Sequence, residues 1–356
     1  MSADSRAPDK TLVTTRDFLR AGLIAPARRD EIDQVLRVYA AAMSPHLVGL
    51  VDPADPADPI ARQFTPDPRE LVRAPHERDD PIGDRAHAPL PGLVHRYRDR
   101  VLLQLLTVCP VYCRFCFRRE TVGATKGGLL SQRQIEEALA YIRARPQIWE
   151  VILTGGDPFT LSARRLRAVV ASLAAIDHVQ VIRVHTRAPA AAPHYVTPAR
   201  IAALATDLAT VYVAIHANHP RELTGPAHSA CAQLSASGLP LLGQTVLLRG
   251  VNDDVDTLET LMRAFVARRI KPYYLHHPDL APGTAHFRMP IAEGRMLYEA
   301  LCARLSGLAR PNYVLDIPGG AGKVALAGER AEHLGAGRWR VTDPNGRKHL
   351  YDDDAP

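Results

Sequence analysis

Lysine is nearly missing from a chain that carries plenty of positive charge. Of the 44 Lys and Arg residues among 356, only Lys10, Lys126, Lys271, Lys323 and Lys348 are lysines. Where a plain cation suffices this chain uses Arg, so each Lys is worth inspecting for amine chemistry that a guanidinium cannot perform. Long apolar runs are missing too. No stretch of about eighteen apolar residues occurs, which excludes a membrane-spanning helix. The N-terminal MSADSRAPDK has no apolar h-region, so no signal peptide is expected and the expected compartment is the cytoplasm. Clustered charge is absent: the formal net charge of +6 is scattered along the chain without a Lys/Arg run, which gives nucleic-acid binding no support. Cysteines are few, five in all. An odd count without a secretory signal argues against a disulfide framework. What remains is a soluble composition, 46% hydrophobic, with room for one large α/β domain and a small appendage.

Residues 1–95 are rich in Pro, Asp and Arg and predict helices over roughly 15–45, followed by an irregular, Pro-punctuated wrap. From residue 101 the pattern becomes regular. Strand-like runs stand at 101–108, 150–155, 179–186, 210–217, 240–248, 271–277 and 312–318, most of them followed by helical patterns such as 131–145 and 162–176. A spacing of about thirty residues is the length of a βα unit, and six such units predict a parallel sheet, either an open barrel or doubly wound. A short, polar, hairpin-like tail closes the chain over 326–356. In parallel α/β folds chemistry gathers at the C-terminal ends of strands. Cys109, Gly155-Gly156-Asp157, His216, Asp279 and Asp316 all fall at those ends.

Three of the five cysteines form the string Cys109-Pro-Val-Tyr-Cys113-Arg-Phe-Cys116. Three thiolates on one loop can hold three irons of a cubane cluster and leave the fourth iron open. A structural zinc site would need a fourth Cys or His at finger spacing, and none follows. Lys323 ends the Gly-rich run Pro318-Gly-Gly-Ala-Gly-Lys323. A phosphate-binding P-loop would require Gly where Ile317 stands and Ser or Thr where Val324 stands. A lysine on a flexible Gly loop can instead form a Schiff base. On sequence alone the stretch Arg96-Tyr97-Arg98-Asp99-Arg100 can be a solvated strand start, and His216 a satisfied strand-end histidine.

The C-x3-C-x2-C string directly after the first strand of a βα array resembles the radical S-adenosylmethionine enzymes, as does LTGGDP at 153–158. The strings PGLVHRYRDRVLL (91–103), CRFCFRR (113–119), ANHPREL (217–223), GQTVLLRGVND (243–253), KPYYLHHPDL (271–280) and DIPGGAGK (316–323) narrow the resemblance to lysine 2,3-aminomutases, over roughly residues 45–325. The resemblance implies a partial (β/α)6 TIM-like barrel over 96–325. It also implies a [4Fe–4S] cluster on Cys109, Cys113 and Cys116, and S-adenosylmethionine on Gly155, Gly156, Asp157, His216 and Gln244. Pyridoxal phosphate would sit on Lys323, Arg96, Tyr97 and Arg100. L-Lysine would be held by Arg118 at its α-carboxylate and by Asp279 and Asp316 at its ε-ammonium. Two buried carboxylates repel each other unless a cation lies between them, so the pair points to a cationic substrate.

The implied chemistry is migration of the amino group from C2 to C3 after a 5′-deoxyadenosyl radical takes hydrogen from C3. It needs an external one-electron reductant of flavodoxin or ferredoxin type. The longer relatives carry a C-terminal zinc-binding extension, and Asp254 stands where one of their zinc cysteines would lie, which leaves oligomeric state open. The shorter form is similar to enzymes that make (R)-β-lysine for elongation factor P. Free-lysine catabolism, another cationic substrate such as arginine, and a non-catalytic Fe–S binding protein are the alternatives.

Overall fold

Seven parallel strands form the centre of the molecule. In the computed structural model, which describes residues 8–123, 128–327, 331–335, 338–342 and 347–352, a nine-stranded sheet runs in simple sequence order. Its strands are β1 (Leu93–Tyr97), β2 (Arg100–Leu106), β3 (Glu150–Gly155), β4 (Val181–Thr186), β5 (Thr210–His216), β6 (Leu241–Val246), β7 (Ile270–His276), β8 (Asn312–Ile317) and β9 (Gly322–Ala325). Strands β2 to β8 are parallel, while β1 and β9 fold back antiparallel at the two ends. Helical segments fill each of the six crossovers, so the chain forms six βα units and a seventh parallel strand. Among the described residues β1 and β9 do not pair, and the barrel stays open along that seam. Side chains bridge it instead: Arg96 Nη1 on β1 lies 3.8 Å from Asp316 Oδ1 on β8.

The crossover helices are amphipathic in the way their spacing demands. Gln132–Arg143 is opened by a Ser131/Gln134 capping box and buries Ile135, Ala138, Leu139 and Ile142. Val255–Ala267 is capped by the Asp254 side chain and buries Leu258, Leu261, Met262 and Phe265 against β7. Strand β5, with Val211, Val213, Ala214 and Ile215 all buried, is apolar on both faces, as a parallel strand under helices must be.

The N-terminal wrap is more ordered than its composition predicts. Three of its Asp-Pro and Ser-Pro pairs are helix starts: Ser44, Asp58 and Asp67 cap short helical segments whose first residues are Pro45, Pro59 and Pro68. Phe18, Ile32, Met43, Leu47, Ile60 and Phe64 pack into a second core that also receives Val111 and Ala191 from the barrel side. A buried ion cluster fastens this wrap to the cysteine loop. Glu70 accepts from Arg114 Nε at 2.9 Å and also from Arg119 Nη2. Burial opposes its charge, yet the two arginines hold its carboxyl below the usual value. Glu70→Gln leaves two buried guanidiniums undercompensated, and a loss of about 3–5 kcal/mol in chemical denaturation is expected.

The tail forms three strands: β10 (Ala331–Gly335), β11 (Arg338–Thr342) and β12 (Lys348–Asp352), joined as an antiparallel sheet of its own. Residues 1–7, 124–127 (Lys126 among them), 328–330, 336–337, 343–346 and 353–356 lie outside the described residues. No described helix is long and apolar enough to cross a membrane.

Candidate active site

The strand ends open into one cavity of about 550 Å³. Its wall carries Cys109, Cys113, Cys116, Arg118, Gly156, Asp157, His216 and Gln244 together with Asp279, Asp316, Lys323, Arg96, Tyr97 and Arg100. Residues 96 and 323, far apart in sequence, meet because the first and last strands of the sheet face each other across the seam. Of the residues expected to hold cofactors or substrate, Gly155 alone is not on this wall.

The cysteine loop follows β2 and is pinned from two sides. The wrap holds it through Tyr112 N–H to Ala42 O (2.8 Å) and Arg114 N–H to Gln63 O (2.9 Å). The β3 turn holds it through Asp157 N–H to Val108 O at 2.9 Å. This contact explains the glycine pair. A Cβ on Gly156 would lie 2.1 Å from Val108 O, and one on Gly155, at φ +109°, would lie 2.4 Å from Leu106 O. The structure therefore assigns both glycines a packing task, closing the turn against the loop. Asp157, expected to face a ligand, has its carboxylate taken by Thr186 Oγ1 and by the N–H groups of Phe159, Arg187 and Ala188.

Burial raises all three thiols above their ordinary value, Cys113 to about 11. A metal must displace those protons to bind. Among the described residues no three Cys, His, Asp or Glu side chains converge on a single-ion position. Three thiols on one loop, all lining the cavity, fit a cubane cluster, in which each cysteine would ligate a different iron.

Arg118 and Arg96 share a carboxylate that the sequence did not reveal. Arg118 donates through Nε (3.0 Å) and Nη2 (2.9 Å) to Asp84 Oδ2, and through Nη1 to Thr154 Oγ1 at 3.3 Å. Arg96 Nη2 donates to Asp84 Oδ1 at 2.9 Å. In this state the fork expected to take a substrate carboxylate thus holds the chain's own. Nearby, Arg96 Nε, Tyr97 Oη and Arg183 Nε are buried without partners, an orphaned set that fits an anionic group such as a phosphate. Arg100 stacks on the Tyr97 ring at 3.8 Å and donates to Asp99 at 2.8 Å.

Lys323 does not sit on a flexible loop, as its Gly-rich context suggests. Gly319, Gly320 and Gly322 all adopt positive φ and reverse the chain so tightly that Lys323 enters β9 directly opposite Asp316. Its ammonium donates to Asp316, lies 3.4 Å from His276 Nδ1 and sits 5.2 Å from the Tyr274 ring centroid. The cation that an aspartate pair needs is here the chain's own. Among the described residues the Asp279 carboxylate makes no hydrogen bond or ion pair. Burial, and then Asp316, push it up to about 7.

His216 ends β5 beside Gln244 of β6, and its Nε2 pairs with Asn218 Oδ1 at 2.9 Å. Burial first, then Arg187, lower its pKa to about 3, so the ring is neutral. Other wall residues went unnoticed in the sequence: Arg183, His185, Arg187 and His276. Nothing separates those arginines by spacing in a chain so rich in Arg.

Residues 103–261 match the Radical SAM superfamily. L-Lysine 2,3-aminomutase of Clostridium subterminale is 39% identical over 295 residues, covering 83% of this chain and 70% of that one. This chain belongs to the lysine 2,3-aminomutase family. The L-lysine 2,3-aminomutase of Acetoanaerobium sticklandii is 38% identical, covering 85% of this aminomutase and 73% of its own length. Glutamate 2,3-aminomutase of Clostridioides difficile is 34% identical, with 84% and 70% covered. Membership makes the aminomutase an isomerase of the radical S-adenosylmethionine type, with a [4Fe–4S] cluster and S-adenosylmethionine among its cofactors.

Proposed function

We propose that this aminomutase moves the α-amino group of L-lysine from C2 to C3 to give β-lysine. One observation carries the reading. A single cavity of about 550 Å³ is lined by the three thiols, by Lys323 with Asp316 and Asp279, and by arginine and tyrosine donors of which Arg96 Nε, Tyr97 Oη and Arg183 Nε are left without partners. When bound, the cluster and S-adenosylmethionine supply a hydrogen-abstracting radical, and pyridoxal phosphate supplies an electron-delocalising carrier for the migrating nitrogen.

The chain's own part is positioning. Cys109, Cys113 and Cys116 hold the cluster on a loop pinned by the wrap and by the Gly155-Gly156 turn. His216 and Gln244 line the nucleoside side, while Asp157 sets the turn that faces it. Arg96, Tyr97 and Arg100 hold the phosphate, and Lys323 carries the aldehyde. Asp279 and Asp316 grip the ε-ammonium, and Arg118 takes the α-carboxylate in place of Asp84. The buried wall excludes water from a radical that water would waste. The aspartate pair favours a cationic substrate over the glutamate of one matched relative.

Reconstituted protein given lysine, S-adenosylmethionine, pyridoxal phosphate and a one-electron reductant is expected to form β-lysine. Absence of β-lysine with S-adenosylmethionine still consumed would remove the lysine assignment. We further propose that the product serves elongation factor P modification, and loss of β-lysylated factor in a deletion strain tests that use.

A further inference from the structure

Arg187 is a buried cation that the proposed reaction does not use. Its side chain is 7% exposed, at the turn after β4, and its own N–H is fixed by Asp157 Oδ2 at 2.8 Å. The guanidinium is held on two sides: Nη2 donates to Gln63 Oε1 at 2.7 Å and to Glu222 Oε2 at 2.8 Å. The remaining arm, Nη1, points at Cys113 Sγ, 3.0 Å away. Phe64 and Phe115 flank the guanidinium, their ring centroids 4.7 and 5.3 Å from it. Glu222 is itself fully buried and satisfied, accepting Asn218 N–H at 2.9 Å and His219 N–H at 3.0 Å. The fork therefore has nowhere to rotate. A simple Arg–Glu ion pair would not require Nη1 to be aimed at sulfur.

We propose that Arg187 is a positioning residue for the cluster, a fixed N–H···S donor to Cys113 that raises the reduction potential. The inference rests on the three cysteines holding a [4Fe–4S] cluster. One electron enters the cluster from the external reductant, no bond breaks, and the added negative charge spreads onto the ligating sulfurs. A hydrogen bond from a cation to one of those sulfurs stabilises the reduced form more than the oxidised form. Asp157 and Glu222 act through this arginine, which links the Gly155-Gly156-Asp157 turn and the N-terminal wrap to the redox centre. The low dielectric of the site strengthens the effect.

The test is an EPR-monitored redox titration of full-length reconstituted protein: wild type, Arg187→Lys, and Arg187→Met combined with Glu222→Gln so that no buried charge is stranded. With about four irons retained, as a cubane requires, the double variant is expected to be reduced about tenfold less favourably, a shift of about 59 mV to lower potential for a one-electron couple. Arg187→Lys should fall between. Unchanged potentials with full iron content would overturn the proposal. If the variants fail to load, wild-type protein labelled with guanidino-15N arginine decides. A 15N coupling to the reduced cluster supports the donor, and its absence overturns it. Wild-type protein that binds no iron would remove the cluster reading itself, a distinct result.

Discussion

Lys323→Ala is expected to lower β-lysine formation by about 10⁴-fold or more, the scale on which removal of a covalently acting residue registers. Lys323→Arg should fare no better, because a guanidinium keeps the charge but cannot condense with an aldehyde. The charge-conserving variant matters because Lys323 also has a structural partner. Its ammonium donates to Asp316, whose other charged neighbour among the described residues is Arg96 at 3.8 Å, the His276 ring at 3.9 Å being kept neutral chiefly by burial. If the lysine served only that ion pair, Arg would restore activity. Iron content and the slow cleavage of S-adenosylmethionine should survive in both variants, since the cysteine loop is pinned from the wrap and from β3. The absorbance band of protein-bound pyridoxal phosphate should disappear.

The second large effect belongs to the carboxylates. Asp279→Asn or Asp316→Asn is expected to cut kcat/KM for lysine by about 10²–10³-fold, the loss of a buried charge partner worth about 3–4 kcal/mol. The pH dependence follows from Asp279. Its carboxyl is pushed up to about 7 by burial and then by Asp316, while Lys323, Arg118 and Arg96 pull the other way. A substrate ammonium adds another opposite charge, so the bound-state value is lower still. Below pH 7 the free protein carries a proton that must leave before the cation binds. Affinity for lysine should therefore fall by about tenfold per pH unit as pH drops from 7, and stay flat above it. Folding stability runs the other way. The unfolded carboxyl ionises near 3.8 while the folded one keeps its proton to about 7, so this group's contribution falls as pH rises between those values. Asp279→Asn should abolish both slopes. A KM for lysine unchanged between pH 8 and pH 6 would contradict the assignment.

Local spacing accounts for the features that are legible in the sequence. Three cysteines within one loop, a Gly-bracketed lysine and a sheet of repeating βα units are short-range features, and each carries its chemistry in a few consecutive residues. Residues that act through tertiary contact left no such mark. Asp84 reaches Arg96 and Arg118 from the wrap, and Gln63 reaches Arg187 and Asn218 across more than a hundred residues of chain. Glu70 looked like one more acid in a charged stretch, yet it is the buried anchor of the cysteine loop. The glycine turn shows the converse. Gly155 and Gly156 were visible, but their tight approach to Leu106 and Val108 emerges only when β2 and β3 are laid side by side. Lys323 changed context for the same reason, because the positive-φ glycines that suggested a mobile loop instead build a strand reversal.

The central claim is that one cavity presents C3 of a cationic amino acid to the thiolate end while Lys323 holds the other side of the reaction. Incubation with L-[3,3-2H2]lysine tests it most directly. The account predicts deuterium in 5′-deoxyadenosine and at C2 of β-lysine with native protein, and in neither with Lys323→Ala. Turnover of S-adenosylmethionine in the presence of lysine with no deuterium in the nucleoside would contradict it.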